Sequence, residues 1–166
     1  MSESKPAVLV LGLGNVLQTD DGAGIHVIHE LQRRRDGDGS KFPDEVAFHD
    51  GGTIGLSLLA EIEDCDVLVV VDAMELGAEP GTIRTFEDSD IMTQLGGKKR
   101  SAHEVALADL LAAAQLTGRM PKRCALVGIQ PGRIGWGMEA EAPVAAAIPQ
   151  ACDEVISLVE KWLVYA

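Results

Sequence analysis

Short apolar runs alternate with stretches of helical periodicity along the 166 residues of this chain. The runs that predict strands are residues 7–12, 45–50, 65–73, 81–87 and 123–130. The stretches that predict helices are residues 24–35, 54–64, 101–116 and 142–165. Strands that alternate with helices predict an α/β fold, a three-layer sandwich in which helices flank a mostly parallel, twisted sheet of about five strands.

Three local features modify this pattern. Residues 81–87 follow the preceding strand without a helix, and since parallel neighbours need a long crossover, this strand is predicted to run antiparallel at or near an edge. Residues 88–100 contain a Gly-Gly pair and three consecutive basic residues, which favours an irregular, mobile segment. Pro149 lies inside the last helical stretch and predicts a kink or a division there.

Length and composition favour one globular domain over residues 1–166, because 46% hydrophobic residues can build a core without disulfides. The formal net charge is −12. A charge of this sign disfavours nucleic acid as a partner, since binding to phosphates depends on a basic surface. It is compatible with metal ions or basic partners.

Cysteine usage and the N-terminal sequence bear on the compartment. Cys65, Cys124 and Cys152 are far apart and lack metal-binding spacing, which favours buried free thiols in a reducing compartment. The apolar run near the N-terminus is shorter than that of a signal peptide, and no segment is predicted to span a bilayer. We therefore expect a cytoplasmic protein without membrane contact, and we favour a monomer.

Two adjacent aspartates, Asp20 and Asp21, follow the first strand within the glycine-rich stretch GLGNVLQTDDGAG. Thr19 or Asp20 is placed to cap the helix that begins near Gly22, so a capping or helix-dipole role stays open for both aspartates. Leu17 stands where a dinucleotide-binding fingerprint has its third glycine, and two carboxylates would repel a pyrophosphate. The stretch therefore disfavours a nucleotide site.

A third carboxylate and an imidazole are expected at the same edge of the sheet. Asp72 ends the most apolar strand, where a carboxylate is costly unless it is bonded, paired or ligated, with a cap or turn as the alternative. Ser101 and Glu104 have capping-box spacing, which puts His103 at the second helical position. The helix dipole disfavours imidazolium there, so we expect a neutral ring, as metal binding requires. These groups predict an open O,O,N cation site suited to Zn, Ni, Mn or Fe.

Other residues carry weaker signals. His26 and His29 are three apart on one predicted helix and fit either a metal-binding pair or a polar face. Gly51 and Gly52 indicate a backbone that another group approaches closely, or a tight turn. Trp136, in GRIGWGME, fits either an anchor for a partner or a plug within a loop.

Taken in order, these stretches resemble the hydrogenase maturation endopeptidases, which finish the large subunit of nickel–iron hydrogenases. The resemblance rests on VLGLGNVLQTDDGAG, DGGTIGLSLL, VVVDAMELGAEPGTI, SAHEVALADLL and LVGIQP, between Val8 and Trp162. It implies a twisted sheet between helices. It also implies that the partner is the large-subunit precursor, already loaded with nickel, whose C-terminal extension is removed just after its last metal-binding motif.

The resemblance further implies roles for particular residues. Asp21, Asp72 and His103 correspond to the residues that interact with nickel, and are implied to be both metal-binding and catalytic. The residues implied in substrate recognition are Asp50, Gly51, Gly52 and Thr53. Many members carry Glu in place of Asp21, and the shorter side chain leaves open whether this carboxylate ligates directly or through a water.

No Ser-His-Asp or Cys-His arrangement is evident, which favours nickel-dependent hydrolysis of the peptide bond. The precursor would supply the nickel, and zinc or cadmium could occupy the same site. A peptidyl-tRNA hydrolase is one alternative, since those enzymes share GLGN, but Val16 and Leu17 replace their Pro-Gly and the chain is acidic. A non-catalytic, nickel-dependent binding module for the large subunit is the other alternative.

Overall fold

One mixed sheet organises the computed structural model, which describes residues 7–37, 42–52, 57–97 and 101–165. Its strands within those ranges are β1 (Val8–Leu13), β2 (Val46–Gly52), β3 (Val67–Ala73), β4 (Ile83–Glu87) and β5 (Arg123–Ile129). The strand order is β2-β1-β3-β5-β4. All neighbours are parallel except β4 and β5, which pair antiparallel at one edge. The predicted sheet of about five strands and its antiparallel edge strand are confirmed.

Helices cover both faces of this sheet. They are α1 (Ala23–Asp36), α2 (Leu58–Asp64), α3 (Ser89–Leu95), α4 (Ala102–Leu116) and α5 (Ala142–Trp162), with short 3-10 turns at Thr19–Gly22 and Leu163–Tyr165. Val8 and Val10 of β1 pack with α1 and α5, whereas Leu9 and Leu11 pack with α2, α3 and α4. Alternate residues of a strand point to opposite faces, so the fully buried β1 lies between two apolar layers. The predicted three-layer sandwich is confirmed.

The segment after β4 corrects the prediction of an irregular stretch at 88–100. Residues Ser89–Leu95 form α3, which buries Ile91 and Leu95 on one face at helical spacing. Asp88 has φ +49° and turns the chain into this helix, while its carboxylate accepts hydrogen bonds from the Cys124 amide (3.0 Å) and Arg123 Nε (2.9 Å). The anchored turn and the four-residue apolar spacing explain the helix. Residues 98–100 lie outside the described residues, as do 54–56 of the helix predicted at 54–64.

The last helix is continuous through Pro149, so the predicted division is wrong. Pro149 lies on the exposed side of α5, where water can bond the carbonyl left without an intrahelical donor. The opposite side of the helix keeps Val155 and Trp162 fully buried in the core. Packing of that side holds the helix together across the proline.

By length and composition alone, α5 is long and apolar enough to cross a membrane, with a mean hydropathy of 1.2 over an 18-residue window. Charged side chains on its other face bind neighbouring elements. Asp153 pairs with Arg34 at 2.9 Å, and Glu154 accepts a hydrogen bond from Thr85 Oγ1 at 2.9 Å. Long core helices satisfy the same criterion, so one such helix is weak evidence for a span.

Candidate functional site

Three polar residues meet at the carboxyl edge of the sheet, where adjacent parallel strands end. Asp72 is the penultimate residue of β3, Asp21 lies in the 3-10 turn after β1, and His103 lies in the first turn of α4. His103 Nε2 is 3.2 Å from Asp21 Oδ2, and both side chains are largely buried. The charge of Asp72 interacts with both groups. The structure therefore brings together the three residues of the predicted site.

Close packing of the loop after β1 positions Asp21. Gly14 has φ +135°, and a Cβ at this position would collide with the carbonyl oxygen of Asp21. The Asn15 amide donates a hydrogen bond of 3.1 Å to Asp21 Oδ2, the same oxygen that faces His103. Asn15 Oδ1 in turn accepts from the Leu17 amide at 2.9 Å. The glycine-rich loop therefore holds a carboxylate in place instead of cradling a phosphate.

Asp72 is 1% exposed, and its Oδ1 has no hydrogen-bond partner within the described residues. Burial raises the pKa of this carboxyl well above its ordinary value, and the nearby charges of Asp21 and Glu104 act in the same direction. His103 and the backbone amide of Ala73 act in the opposite direction. A buried carboxyl oxygen without a partner is costly, and an arriving cation would satisfy it and favour its ionised form.

The start of α4 positions His103. The Ser101 side chain accepts a hydrogen bond of 3.2 Å from the Glu104 amide, which confirms Ser101 as the N-cap. The surroundings of His103 act against the expectation of a neutral ring. The hydrogen bond to Asp21 raises the pKa of His103, as do the charges of Asp72, Asp21 and Glu104, although burial acts against them. Nearby carboxylates therefore favour the protonated ring, which is opposite to the effect expected of the helix dipole.

The cluster is not a preformed metal cage. Within the described residues, no three His, Cys, Asp or Glu side chains are already arranged to hold an ion. The potential ligand atoms of Asp21 and His103 are hydrogen-bonded to each other, and that hydrogen bond would have to break before both could bind an ion. The arrangement suits a cation that arrives on another molecule and supplies part of its own coordination sphere.

A cleft of about 290 Å³ adjoins the cluster. Its walls are Asp21, Ala73, Met74, Glu75, Ser101, Glu104, Pro131 and Ile134. Sequence reasoning treated Glu104 only as a capping residue and overlooked Ile134. The S-x-x-E spacing gave no sign that the Glu104 side chain would be buried beside Asp72.

Asp20 corrects the capping interpretation, because its fully buried carboxylate holds a distant loop. Its oxygens accept hydrogen bonds from the amides of Gly132 (2.8 Å), Arg133 (2.9 Å) and Glu141 (2.7 Å). Neither the 3-10 turn nor α1 has a side-chain cap. Adjacent aspartates thus have different roles, since Asp20 is structural and Asp21 faces the cleft.

The residues predicted for substrate recognition lie at the end of β2, where Asp50 pairs with Gly12 of β1. Asp50 is exposed, and its Oδ1 accepts from the Gly52 amide at 2.9 Å. Gly52 has φ +50°, which agrees with the tight-turn interpretation. Thr53 lies outside the described residues, and the recognition role of this segment stays a prediction.

Within the described residues, His26 and His29 belong to no group of three or more side chains that could hold a metal ion. His29 Nε2 is 3.7 Å from Asp50 Oδ2. Burial lowers the pKa of His26, and the nearby His29 adds to this effect. Both histidines line one groove on α1, and the choice between a metal-binding pair and a polar face stays a prediction.

Comparison with known proteins places these observations in context. The family model for hydrogenase maturation protease matches residues 25–158. Hydrogenase expression/formation protein HupD of Rhizobium leguminosarum bv. viciae is 35% identical over 158 residues, which cover 95% of this chain and 76% of HupD. The hydrogenase maturating endopeptidase HybD from Escherichia coli aligns with a TM-score of 0.85 and 33% identity, over 93% of this chain and 92% of HybD. The nickel–iron hydrogenase maturation protease HybD from Thermococcus kodakarensis aligns with a TM-score of 0.72 and 27% identity, over 91% of this chain and 97% of that one.

Proposed function

Because this chain belongs to the hydrogenase maturation protease family, we infer that it is an endopeptidase acting on the large-subunit precursor of a nickel–iron hydrogenase. It removes the C-terminal extension of that precursor. The observation that carries this function is the cluster of Asp21, Asp72 and His103 beside a cleft at the carboxyl edge of the sheet. The peptidyl-tRNA hydrolase alternative is set aside, since the chain matches the maturation protease family over most of its length.

We further propose that the precursor brings the nickel to this cluster. Asp72 Oδ1 has no hydrogen-bond partner among the described residues, which supports binding of a cation there, because a positive charge would offset the cost of burying this carboxylate. The absence of a ready-made cage among the described side chains supports a metal that is already partly coordinated by the substrate. Zinc or cadmium could take the same ligands, since mixed carboxylate and imidazole sets do not select one metal.

The nucleophile is proposed to be water. Burial raises the pKa of the Cys65 and Cys124 thiols to about 12, which disfavours the thiolate that nucleophilic attack requires. Near the substrate-borne nickel, the carboxylates of Asp21 and Asp72 orient a water and accept its proton as it attacks the scissile carbonyl. His103 would join the carboxylates as a ligand of the nickel in its neutral form, and the proton taken from the water passes from the carboxylates to the leaving amine. The products are a new C-terminal carboxylate and the released extension.

Mass spectrometry of the precursor tests this function directly. We expect the nickel-loaded precursor to lose its C-terminal extension on incubation with this protein, and the nickel-free precursor to stay intact. Loss of the extension from both forms equally would contradict the role of nickel. Binding without any change in mass would favour the non-catalytic binding module.

We retain the cytoplasm as the proposed compartment. All three cysteines, Cys65, Cys124 and Cys152, are free and buried, which agrees with a reducing environment.

A further inference from the structure

The loop between β5 and α5 displays large apolar side chains to solvent. Trp136 is 80% exposed and Met138 is 69% exposed, and Ile134 also faces water. Gly135 and Gly137 separate the three, so they stand on a narrow stretch of chain. An exposed Trp excludes the interpretation of this residue as a plug within a loop. We call Ile134, Trp136 and Met138 the apolar platform.

Buried polar groups hold the base of the platform. The three amides that bind Asp20 lie at both ends of the loop. Thr19 adds a hydrogen bond from its Oγ1 to the Arg133 carbonyl at 2.6 Å and accepts one from the Gly135 amide at 3.1 Å. The Thr19 amide also donates to the Gly137 carbonyl at 2.8 Å. A loop with this many fixed bonds presents its apolar side chains in a defined arrangement.

The anchoring carries a conformational cost that points to a use. Thr19 has φ +47°, a strained value for a β-branched residue. Gly137 has φ +153°, and a Cβ there would lie 2.9 Å from Thr19 Cγ2. Both features maintain a loop that exposes Trp136 and Met138 to water. Side chains left in water add no hydrophobic stabilisation to the fold. Rigid, exposed aromatic residues are typical of binding surfaces because little entropy is lost when they are covered.

The platform is continuous with the proposed active site. Ile134 lines the same cleft as Asp21. The residues that hold the platform, Thr19 and Asp20, directly precede Asp21 in the chain, so the platform and the carboxylate keep a fixed relative position. A protein that places a peptide bond at Asp21 must therefore pass beside Ile134 and can cover Trp136 and Met138.

From this continuity we propose that the platform is a docking surface for the folded body of the large-subunit precursor, which it contacts through an apolar patch. The inference rests on the proposed function and extends it from the cleavage site to substrate recognition. Arg133 and Glu141 at the base of the loop pair with each other at 3.2 Å, and the three exposed side chains of the platform itself are apolar. The net charge of −12 opposes an anionic membrane surface as the occupant.

Kinetics of processing test the docking role. The variant Trp136→Ala/Met138→Ala is expected to raise KM for the nickel-loaded precursor about tenfold or more and to change kcat less than about twofold, because it removes binding shared by ground and transition states. Trp136→Phe keeps an aromatic anchor and is expected to fall between the wild type and the double variant. Leu116→Ala is the matched control, since Leu116 is 89% exposed at the far end of α4, about 20 Å along the helix from His103. An unchanged KM in the double variant would overturn the docking role.

A binding measurement separates this inference from the proposed function. Protein labelled with 5-fluorotryptophan has two reporters, the exposed Trp136 and the fully buried Trp162. Unlabelled precursor is expected to shift the ¹⁹F resonance of Trp136 and to leave that of Trp162 in place. If precursor shifts Trp136 but is never shortened, docking stands and the protease function falls. If precursor is shortened without any shift of Trp136, the reverse holds.

The same resonance distinguishes the other occupants. A shift of Trp136 with protein concentration alone would identify a second copy of this chain. A shift on adding vesicles of phosphatidylcholine and phosphatidylglycerol would identify a membrane. Either result without a response to precursor would overturn the proposal, and the Trp162 resonance reports throughout that each variant is folded.

Discussion

His103 Nε2 lies 3.2 Å from Oδ2 of Asp21, across 82 positions of the sequence. The bond joins the first turn of α4 to the turn before α1, and it satisfies both side chains while no substrate is present. The neighbouring Asp21 carboxylate raises the pKa of His103, so the imidazole has to release any proton it holds before it can serve as a metal ligand. A cation that used both groups as ligands would replace this hydrogen bond. The protein without substrate therefore holds the two side chains close together, and both stay available as ligands.

Stability should fall with rising pH in a way that depends on His103. The folded-state pKa of His103 is raised above its ordinary value of 6.5, so the folded protein holds more protons than the unfolded chain above that pH. The stabilisation is fully present below pH 6.5 and is lost as pH rises through the folded-state pKa. Urea unfolding from pH 6 to 9 is expected to show this decline in the wild type and a smaller decline in His103→Gln. Equal slopes in the two proteins would contradict the bond to Asp21.

Asp72→Asn should separate stability from activity. Burial already favours the neutral carboxyl, so the amide is expected to leave the thermal midpoint unchanged or higher by a few degrees. It cannot offer an anionic ligand, so processing of nickel-loaded precursor is expected to fall by about 100-fold or more.

The matched control is Asp66→Asn, which changes an exposed carboxylate that pairs with Lys122 at 3.0 Å. Because exposed ion pairs contribute little, this variant should process precursor at the wild-type rate. Wild-type processing by Asp72→Asn would remove Asp72 from the mechanism.

The sequence predicted the sheet and the meeting of the three site residues for a simple reason. Apolar strand runs have an unambiguous period, and the carboxyl ends of parallel strands converge on one edge. The sequence could not predict the different roles of adjacent residues where hydrogen bonds to distant chain segments determine those roles. Asp20 and Asp21 both looked like capping residues, yet amides more than a hundred positions away bind only Asp20.

The protonation of His103 and the course of the last helix show the same limit. The dipole argument for a neutral ring used only α4, whereas the bonded carboxylate comes from the turn before α1. The expected division at Pro149 used only local propensity, whereas packing of the buried side of α5 overrides it.

Removing the Asp20 carboxylate should destabilise the protein and loosen the apolar platform. Asp20→Ala deletes a buried carboxylate that accepts three partly buried amide hydrogen bonds, so the free energy of unfolding is expected to fall by about 2–4 kcal/mol. Hydrogen exchange should accelerate at the amides of Gly132, Arg133 and Glu141. Asp153→Ala is the control, because this largely exposed carboxylate makes one surface ion pair and should cost less than about 1 kcal/mol. Equal losses in both variants would contradict the anchoring role.

A methyl group at Gly14 should displace Asp21. Gly14→Ala puts a Cβ against the Asp21 carbonyl oxygen at a φ of +135°, so processing is expected to fall about tenfold or more as the carboxylate moves. Gly118→Ala is matched to it, because Gly118 has φ +71° and nothing lies within 4 Å of its added Cβ. That control should cost about 1 kcal/mol of stability and leave the processing rate unchanged. Similar activity in the two variants would mean that the loop does not position Asp21.

Free divalent cations should bind the cluster weakly and compete with a proton. Cd²⁺ added to the protein alone is expected to raise the thermal midpoint in the wild type and to leave that of His103→Ala unchanged. Because both the imidazole and the buried Asp72 carboxyl must lose their protons to ligate, the apparent Kd should fall by about tenfold or more for each unit that pH rises below the raised pKa of His103. His29→Ala is the control for binding at the other histidines and should respond like the wild type. If the Cd²⁺-induced rise in thermal midpoint persists in His103→Ala but disappears in His29→Ala, the cation binds at α1. The nickel of the precursor would then need ligands other than this cluster.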